Sequence, residues 1–309
     1  MTSVILCPGQ GAQVVGMGKA WAESSDAARN IFALADRVLG TPLSQVCFEG
    51  PEDVLNRTDV SQPAIFVASI ASFMGWLESE NKSQDDLGIV ATAGLSLGEY
   101  TALYLTRAIS FEDGLRLVAL RGAAMQAAAE ATDSGMVALV GVDEDQANEV
   151  CDAAREGGVL VTANFNAPGQ IVVSGDTGAC DRAEKVAADK GYRSVRLPVA
   201  GAFHSPIMQS AADKLREALE ATNIDAPVCT VMSNVTAKPH DNDPSSIRDR
   251  LVDQLTSPVR WAQCCEYLVG AHDGASFHEL APGKSLSGMM KRISRGTKVQ
   301  THPEPAAAS

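Results

Sequence analysis

The stretch Gly94-Leu95-Ser96-Leu97-Gly98 carries the pattern G-x-S-x-G between an apolar run, Gly88 to Ser96, and an amphipathic one, Leu97 to Leu105. A serine on a sharp strand-to-helix turn points its Oγ into open space, and glycines two residues to either side let neighbouring chain pass close by. The amide of the next residue, Leu97, stands at the helix N-terminus, where it can stabilise an oxyanion. The chemistry such a turn supports is attack on an acyl carbon. The bare pattern is weak, because a Gly-rich turn with a surface serine has the same letters; its strand-turn-helix setting favours the nucleophile.

A serine hydroxyl needs a base, and the chain offers five histidines. His302 lies in a Pro/Ala-rich tail, His240 in the polar loop KPHDND and His272 beside Asp273 and Gly274, all settings of a solvated imidazole. His278 alternates with apolar residues on a strand and ranks second, as a core or edge histidine. His204 ranks first: it sits in the small-residue loop Val199 to Pro206 just before a helix, a setting that can bring an imidazole over a pocket. No Asp or Glu stands out as the acid of a triad. A backbone carbonyl can accept the Nδ1 proton instead, so a Ser-His dyad is preferred.

The elements that must position these residues alternate between short β-branched runs and longer amphipathic stretches, the pattern of an α/β protein. Strands are expected at 4–7, 88–96, 228–232 and 275–280, and helices at 14–39, 61–80, 97–105, 111–131, 205–222, 244–254, 258–269 and 284–293. Between 133 and 198 the order becomes β-α-β-β-α-β, a ferredoxin-like unit inserted into the larger one. The 309 residues, 45% hydrophobic and 20% charged, can bury a large core. Against 38 Asp and Glu stand 25 Lys and Arg, and the net charge of −13 argues against nucleic-acid or membrane binding. Seven scattered cysteines without a CxxC pair read as reduced cytoplasmic thiols, with no zinc spacing. The start, MTSVILCPGQG, has no basic n-region, and no run approaches the ~20 apolar residues of a membrane span.

Several segments in order, Pro8 to Gln13, Gly94 to Tyr100, Leu120 to Gln126, Asn164 to Gln170, Gly201 to Pro206, Ser233 to Thr236, Gln254 to Val259 and Gly283-Lys284, closely resemble those of the malonyl-CoA:acyl carrier protein transacylases of fatty-acid synthesis. The resemblance implies an α/β fold: an α/β-hydrolase-like catalytic part, residues 1–132 and 199–300, around the ferredoxin-like insertion; the Pro/Ala-rich stretch 301–309 reads by its composition as a disordered tail. It implies that Ser96 is acylated by malonyl-CoA and that His204 takes its proton. The amides of Gln10 and Leu97 would form the oxyanion hole, Arg121 would bind the malonyl carboxylate, and the carbonyl of Gln254 would orient His204. The acyl group then passes to the phosphopantetheine thiol of acyl carrier protein, with no metal or redox cofactor and with the protein a monomer.

Arg121 has a physical argument beside that resemblance. A guanidinium next to the apolar face of helix 111–131 is expensive unless paired, and its planar fork suits a terminal carboxylate. A structural ion pair or a snorkelling side chain is the alternative. One departure is Leu95, where the family often has His, which removes a polar group beside the nucleophile. Rivals are a hydrolase using the same turn, which leaves Arg121 without a purpose, and a non-catalytic carrier-binding module, against which Ser96, His204 and Arg121 argue. Within the transferase class the alternative is a carrier-specific relative serving polyketide synthesis or malonate decarboxylation, because partner identity is not written in the pocket. Carrier proteins are acidic, so docking needs local positive charge. Residues 281–303 hold Lys284, Lys291, Arg292, Arg295 and Lys298 without an acid, and Lys185, Lys190, Arg193 and Arg196 form a second basic cluster.

Overall fold

The structure is a computed structural model and describes residues 2–305. Among the described residues nine strands form two sheets: β1 (Ser3–Cys7), β2 (Ile89–Gly94), β3 (Ser134–Val140), β4 (Leu160–Ala167), β5 (Gln170–Asp176), β6 (Arg193–Arg196), β7 (Thr230–Val231), β8 (Ser276–Glu279) and β9 (Val299–Thr301). The larger sheet has the order β7-β2-β1-β8-β9, and all its pairs are parallel. Every residue of β1 is buried, as expected of a central strand covered on both faces.

The long helix Thr58–Ser79 is apolar enough to cross a membrane, yet 89% of its apolar window is buried inside the protein. It packs against helix Phe111–Ala131, where Gly114 admits the Phe66 ring; a Cβ there would stand 2.7 Å from Phe66 Cζ. The smaller sheet runs β4-β5-β3-β6, all antiparallel, which is the ferredoxin-like strand order. Helices Glu144–Arg155 and Thr177–Asp189 pack on it, and Val137, Leu139, Val150, Leu160, Val173 and Ala183 belong to a hydrophobic cluster separate from the two that flank the larger sheet. A capping box, Asp143 with Gln146, starts the first of these helices.

Several boundaries differ from expectation for local reasons. The stretch 14–39 divides into helices Lys19–Ser24 and Asp26–Leu39, because Ser25 is extended and its hydroxyl caps the second through Ala28 N at 3.0 Å. The helix expected from 258 begins at Trp261, since the backbone of Val259 bonds to the β4 strand residues Ala163 and Phe165. The stretch 205–222 opens with a short 3-10 turn, Pro206–Met208. Helices Leu43–Glu49 and Glu52–Leu55 and strand β9 were not foreseen. Disorder was expected from 301, but Thr301 ends β9, His302 stacks on Trp76 at 3.7 Å and the Glu304 carboxylate accepts from the amides of Gly18 and Ala20. Residues 306–309 lie outside the described residues.

Candidate active site

β2 delivers the serine. Its last residue, Gly94, is pressed against the turn that follows, and a Cβ there would lie 1.7 Å from Gly98 C. A Cβ on Gly98 would stand 2.2 Å from Cys7 O at the end of β1. Only glycine fits either place, and the close approach turns the chain sharply into helix Gly98–Leu105. Ser96 at the apex has φ 51°, a left-handed conformation that costs energy for a residue with a Cβ. Asn234 holds the turn: its Oδ1 accepts from Ser96 N at 2.7 Å, and its Nδ2 donates to Gly94 O at 2.8 Å.

His204 comes from the loop after β6, also at positive φ, 57°. The smaller sheet anchors that loop, with Ser134 Oγ accepting from Ala202 N at 3.1 Å and Ser174 Oγ donating to Phe203 O at 2.7 Å. The imidazole Nδ1 lies 2.7 Å from the carbonyl of Gln254 and Nε2 lies 2.9 Å from Ser96 Oγ. A carbonyl only accepts, so Nδ1 carries the proton and Nε2 offers its lone pair to the serine hydroxyl. Burial, with the Arg121 charge second, pushes the His204 pKa down to about 4, while the bond to Gln254 opposes the shift. The ring is therefore neutral at pH 7, the form a general base needs.

Arg121 is buried on helix Phe111–Ala131. Its Nη1 donates to Gln62 Oε1 at 2.6 Å, and its Nη2 to Ser96 Oγ and Gln254 Oε1, both at 2.9 Å. Its Nε–H is buried and has no acceptor among the described residues. The Tyr100 ring lies 5.7 Å from the guanidinium carbon, within cation–π range. No ion pair among the described residues includes Arg121, so this charge is directed at the serine by neutral groups. The structural ion pair weighed as its alternative is absent from them.

Ser96 thus accepts from Arg121 and donates to His204, and the proton of each bond is assigned by chemistry alone. The amides of Gln10 and Leu97 have no hydrogen-bond acceptor among the described residues, and Leu97 precedes the helix. Gly9 lets the Gln10 loop approach, since a Cβ there would stand 2.3 Å from Leu95 O. Lys284, Lys291 and Arg292 are exposed, and no ion pair among the described residues includes them. Gly283 lies against Ala12, where a Cβ would meet Ala12 Cβ at 3.5 Å, so Lys284 flanks the loop that carries Gln10. Half of the second basic cluster is neutralised: Lys190 pairs with Glu149 at 2.9 Å and Arg196 with Asp181 and Glu184.

The other histidines stand elsewhere. His278 and His302 stack with Trp76 beside β8 and β9, so the second-ranked base is not at the serine. His240, expected in solvent, is buried with Nε2 2.6 Å from Glu99 Oε1. Gln62 and Glu99, both fully buried polar groups on the site network, were not singled out in the sequence. Their signal was a polar side chain within helices otherwise rich in apolar residues. A cavity of about 410 Å³ between Val142, Phe165 and Ala262 contains none of Ser96, His204 and Arg121. Among the described residues no three His, Cys, Asp or Glu side chains form a metal site. Burial raises the pKa of all seven thiols, that of Cys47 and Cys151 to about 12, which makes them poor nucleophiles.

Residues 4–299 match the family of the acyl transferase domain. The chain belongs to that family. It is 40% identical over 304 residues to the malonyl CoA-acyl carrier protein transacylase of Bacillus subtilis, covering 97% of this chain and 93% of that one. The crystal structure of an acyl-carrier-protein S-malonyltransferase from Bartonella henselae superposes with a TM-score of 0.92 at 39% identity, over 99% of this chain and 96% of the other. A malonyl-transacylase in complex with its type II PKS acyl-carrier protein gives a TM-score of 0.92 at 34% identity, covering 99% and 97%. The α/β architecture with an inserted antiparallel sheet is therefore that of the acyl transferases, as the order of strands and helices had indicated.

Proposed function

We propose that the protein moves a malonyl group from malonyl-CoA to the phosphopantetheine thiol of an acyl carrier protein, in fatty-acid synthesis, by way of a malonyl-Ser96 ester. The observation that carries this reading is the buried Arg121 guanidinium, held 2.9 Å from Ser96 Oγ and in no ion pair among the described residues. A hydrolase of neutral esters has no use for that charge, whereas the terminal carboxylate of a malonyl group can pair with it directly.

In the first half-reaction Ser96 Oγ attacks the thioester carbon while its proton passes to His204 Nε2. The carbonyl of Gln254 stabilises the imidazolium through Nδ1–H. The oxyanion is received by the free amides of Gln10 and Leu97. Collapse breaks the C–S bond, and the CoA sulfur leaves with the proton from His204. In the second half the carrier thiol gives its proton to His204 and attacks the ester, and Ser96 regains its proton as the new thioester forms. Both substrates bring their own acyl-carrying thiol, so the reading needs no metal or redox cofactor.

Lys284, Lys291 and Arg292 form the docking surface for the acidic carrier, supported by the exposure of all three and by the place of Lys284 beside the Gln10 loop. In this reading residues 1–132 and 199–300 make the catalytic part and 133–198 the smaller one, whose serines hold the His204 loop. The hydrophobic cluster of Val137, Leu139, Leu160 and Val173, which draws only on residues of 133–198, supports the division. The enzyme works as a monomer in the cytoplasm, a reducing compartment that the unpaired thiols favour. The test is to incubate the protein with malonyl-CoA and holo carrier and weigh the products. Malonyl on the carrier and, without carrier, one malonyl on Ser96 is the expected result; an unlabelled protein, or free malonate in place of malonyl-carrier, overturns the reading.

A further inference from the structure

The hydrogen bonds behind the dyad converge on a residue the mechanism leaves unused. Glu99, one position past Gly98 and fully buried, accepts at Oε2 from Gln254 Nε2 at 2.7 Å and from the Asn234 amide at 3.1 Å. At Oε1 it meets His240 Nε2 at 2.6 Å. His240 Nδ1 is buried and has no partner among the described residues. A neutral ring that donates through Nε2 leaves only a lone pair there, whereas a protonated ring would bury an unpaired N–H. Three donors thus face Glu99, the surroundings of a carboxylate anion.

Gln254 bridges that anion to the arginine. Its Nε2 donates to Glu99 Oε2, and its Oε1 accepts from Arg121 Nη2 at 2.9 Å. Flipping the amide would set donor against donor at one end and acceptor against acceptor at the other. All the acceptors of Arg121, namely Gln62, Gln254 and Ser96, are neutral. Glu99 is the acid whose field favours the charged guanidinium, against the desolvation that lowers its pKa.

We propose that Glu99 is a positioning residue that sets how tightly the site holds a donor carboxylate, its buried anion partly offsetting Arg121 through the Gln254 side chain. The inference rests on the reading of Arg121 as the carboxylate clamp. A clamp with no counter-charge would bind substrate and acyl-enzyme alike more tightly, which lowers KM without raising turnover. With Glu99 in place, the malonyl group is held and still released.

The test is Glu99→Gln, which keeps an oxygen for Gln254 and Asn234 and removes the charge. The KM for malonyl-CoA should fall about five- to tenfold with kcat not raised. The KM for acetyl-CoA should stay within about twofold, since it has no carboxylate to feel the change. Folded enzyme is counted by stoichiometric labelling of Ser96 with a fluorophosphonate. A purely structural role shifts both donors alike, and that result, or an unchanged or raised malonyl KM, overturns the proposal. If Glu99→Gln does not fold, the double variant Glu99→Met, His240→Leu removes both buried partners and carries the same expectation. Arg121→Ala is measured alongside. If it fails to separate malonyl from acetyl, the clamp reading falls; if it separates them while the Glu99 variant does not, only the role of Glu99 falls.

Discussion

Replacing Arg121 by Ala acts on the two kinds of donor by different amounts, and the hydrogen bonds say by how much. The substitution leaves Gln62 Oε1 and Gln254 Oε1 buried without their donor and removes the N–H that Ser96 Oγ accepts. These losses fall on any acyl donor, and the charge-assisted bond to Ser96 Oγ, at about 1.5 kcal/mol, by itself lowers kcat/KM by about tenfold. A malonyl donor loses in addition its contacts to the guanidinium. Two charge-assisted hydrogen bonds at about 1.5–3 kcal/mol each make about 3–6 kcal/mol, a further factor of about 10² to 10⁴. Malonyl transfer should therefore drop by at least about a thousandfold and acetyl transfer by about ten. The assay is kcat/KM with malonyl-CoA and acetyl-CoA against one carrier protein, read by mass of the loaded carrier, with circular dichroism as a check on folding. Arg121→Lys restores the charge without the fork and should recover only part of the malonyl rate. Equal losses for malonyl and acetyl donors would refute the assignment.

His204, with its pKa lowered to about 4 by burial and by Arg121, should keep kcat/KM flat from neutral pH down to about 5 and lose it as pH falls through 4; an acidic limb near 6.5 contradicts the geometry. The same shift has a stability consequence. Between about 4 and 6.5 the unfolded chain binds a proton that the folded one refuses, so His204 makes stability fall as pH falls through that window, measurable by urea midpoint. Gly94→Ala should cost more than about 3 kcal/mol or abolish folding, because its Cβ would overlap Gly98; a Tm within a few degrees of the parent contradicts this. Charge reversal at Lys284 and Lys291 should raise the KM for carrier severalfold at low salt, with the difference shrinking as salt rises and the KM for malonyl-CoA unchanged; a carrier KM that does not move removes the docking surface.

What could be read along the chain was whatever a short window encodes. The G-x-S-x-G turn was legible because Gly94 and Gly98 are required by contacts within four residues and at the adjacent strand, and those contacts tolerate no Cβ. The α/β order and the β-α-β-β-α-β insertion were legible because strand and helix each print their own period of apolar residues. His204 ranked ahead of its rivals from the small residues around it. The roles of Gln10, Leu97, Arg121 and Gln254 came instead from resemblance.

The tertiary structure decided which distant groups meet. The bond from His204 to Gln254 spans 50 positions, Gln62 to Arg121 spans 59, and Glu99 to His240 spans 141. A hydrogen bond depends on a few tenths of an ångström and on burial, which are set when helices and sheets pack. No local pattern fixes either. That is why His240, in a polar loop by its letters, lies buried on Glu99, and why two of the four lysines and arginines of the second basic cluster are spent in ion pairs. It is also why the missing acid of a triad turned out to be a carbonyl, supplied by Gln254, while the buried acid nearest that residue faces its side-chain amide instead of the histidine ring.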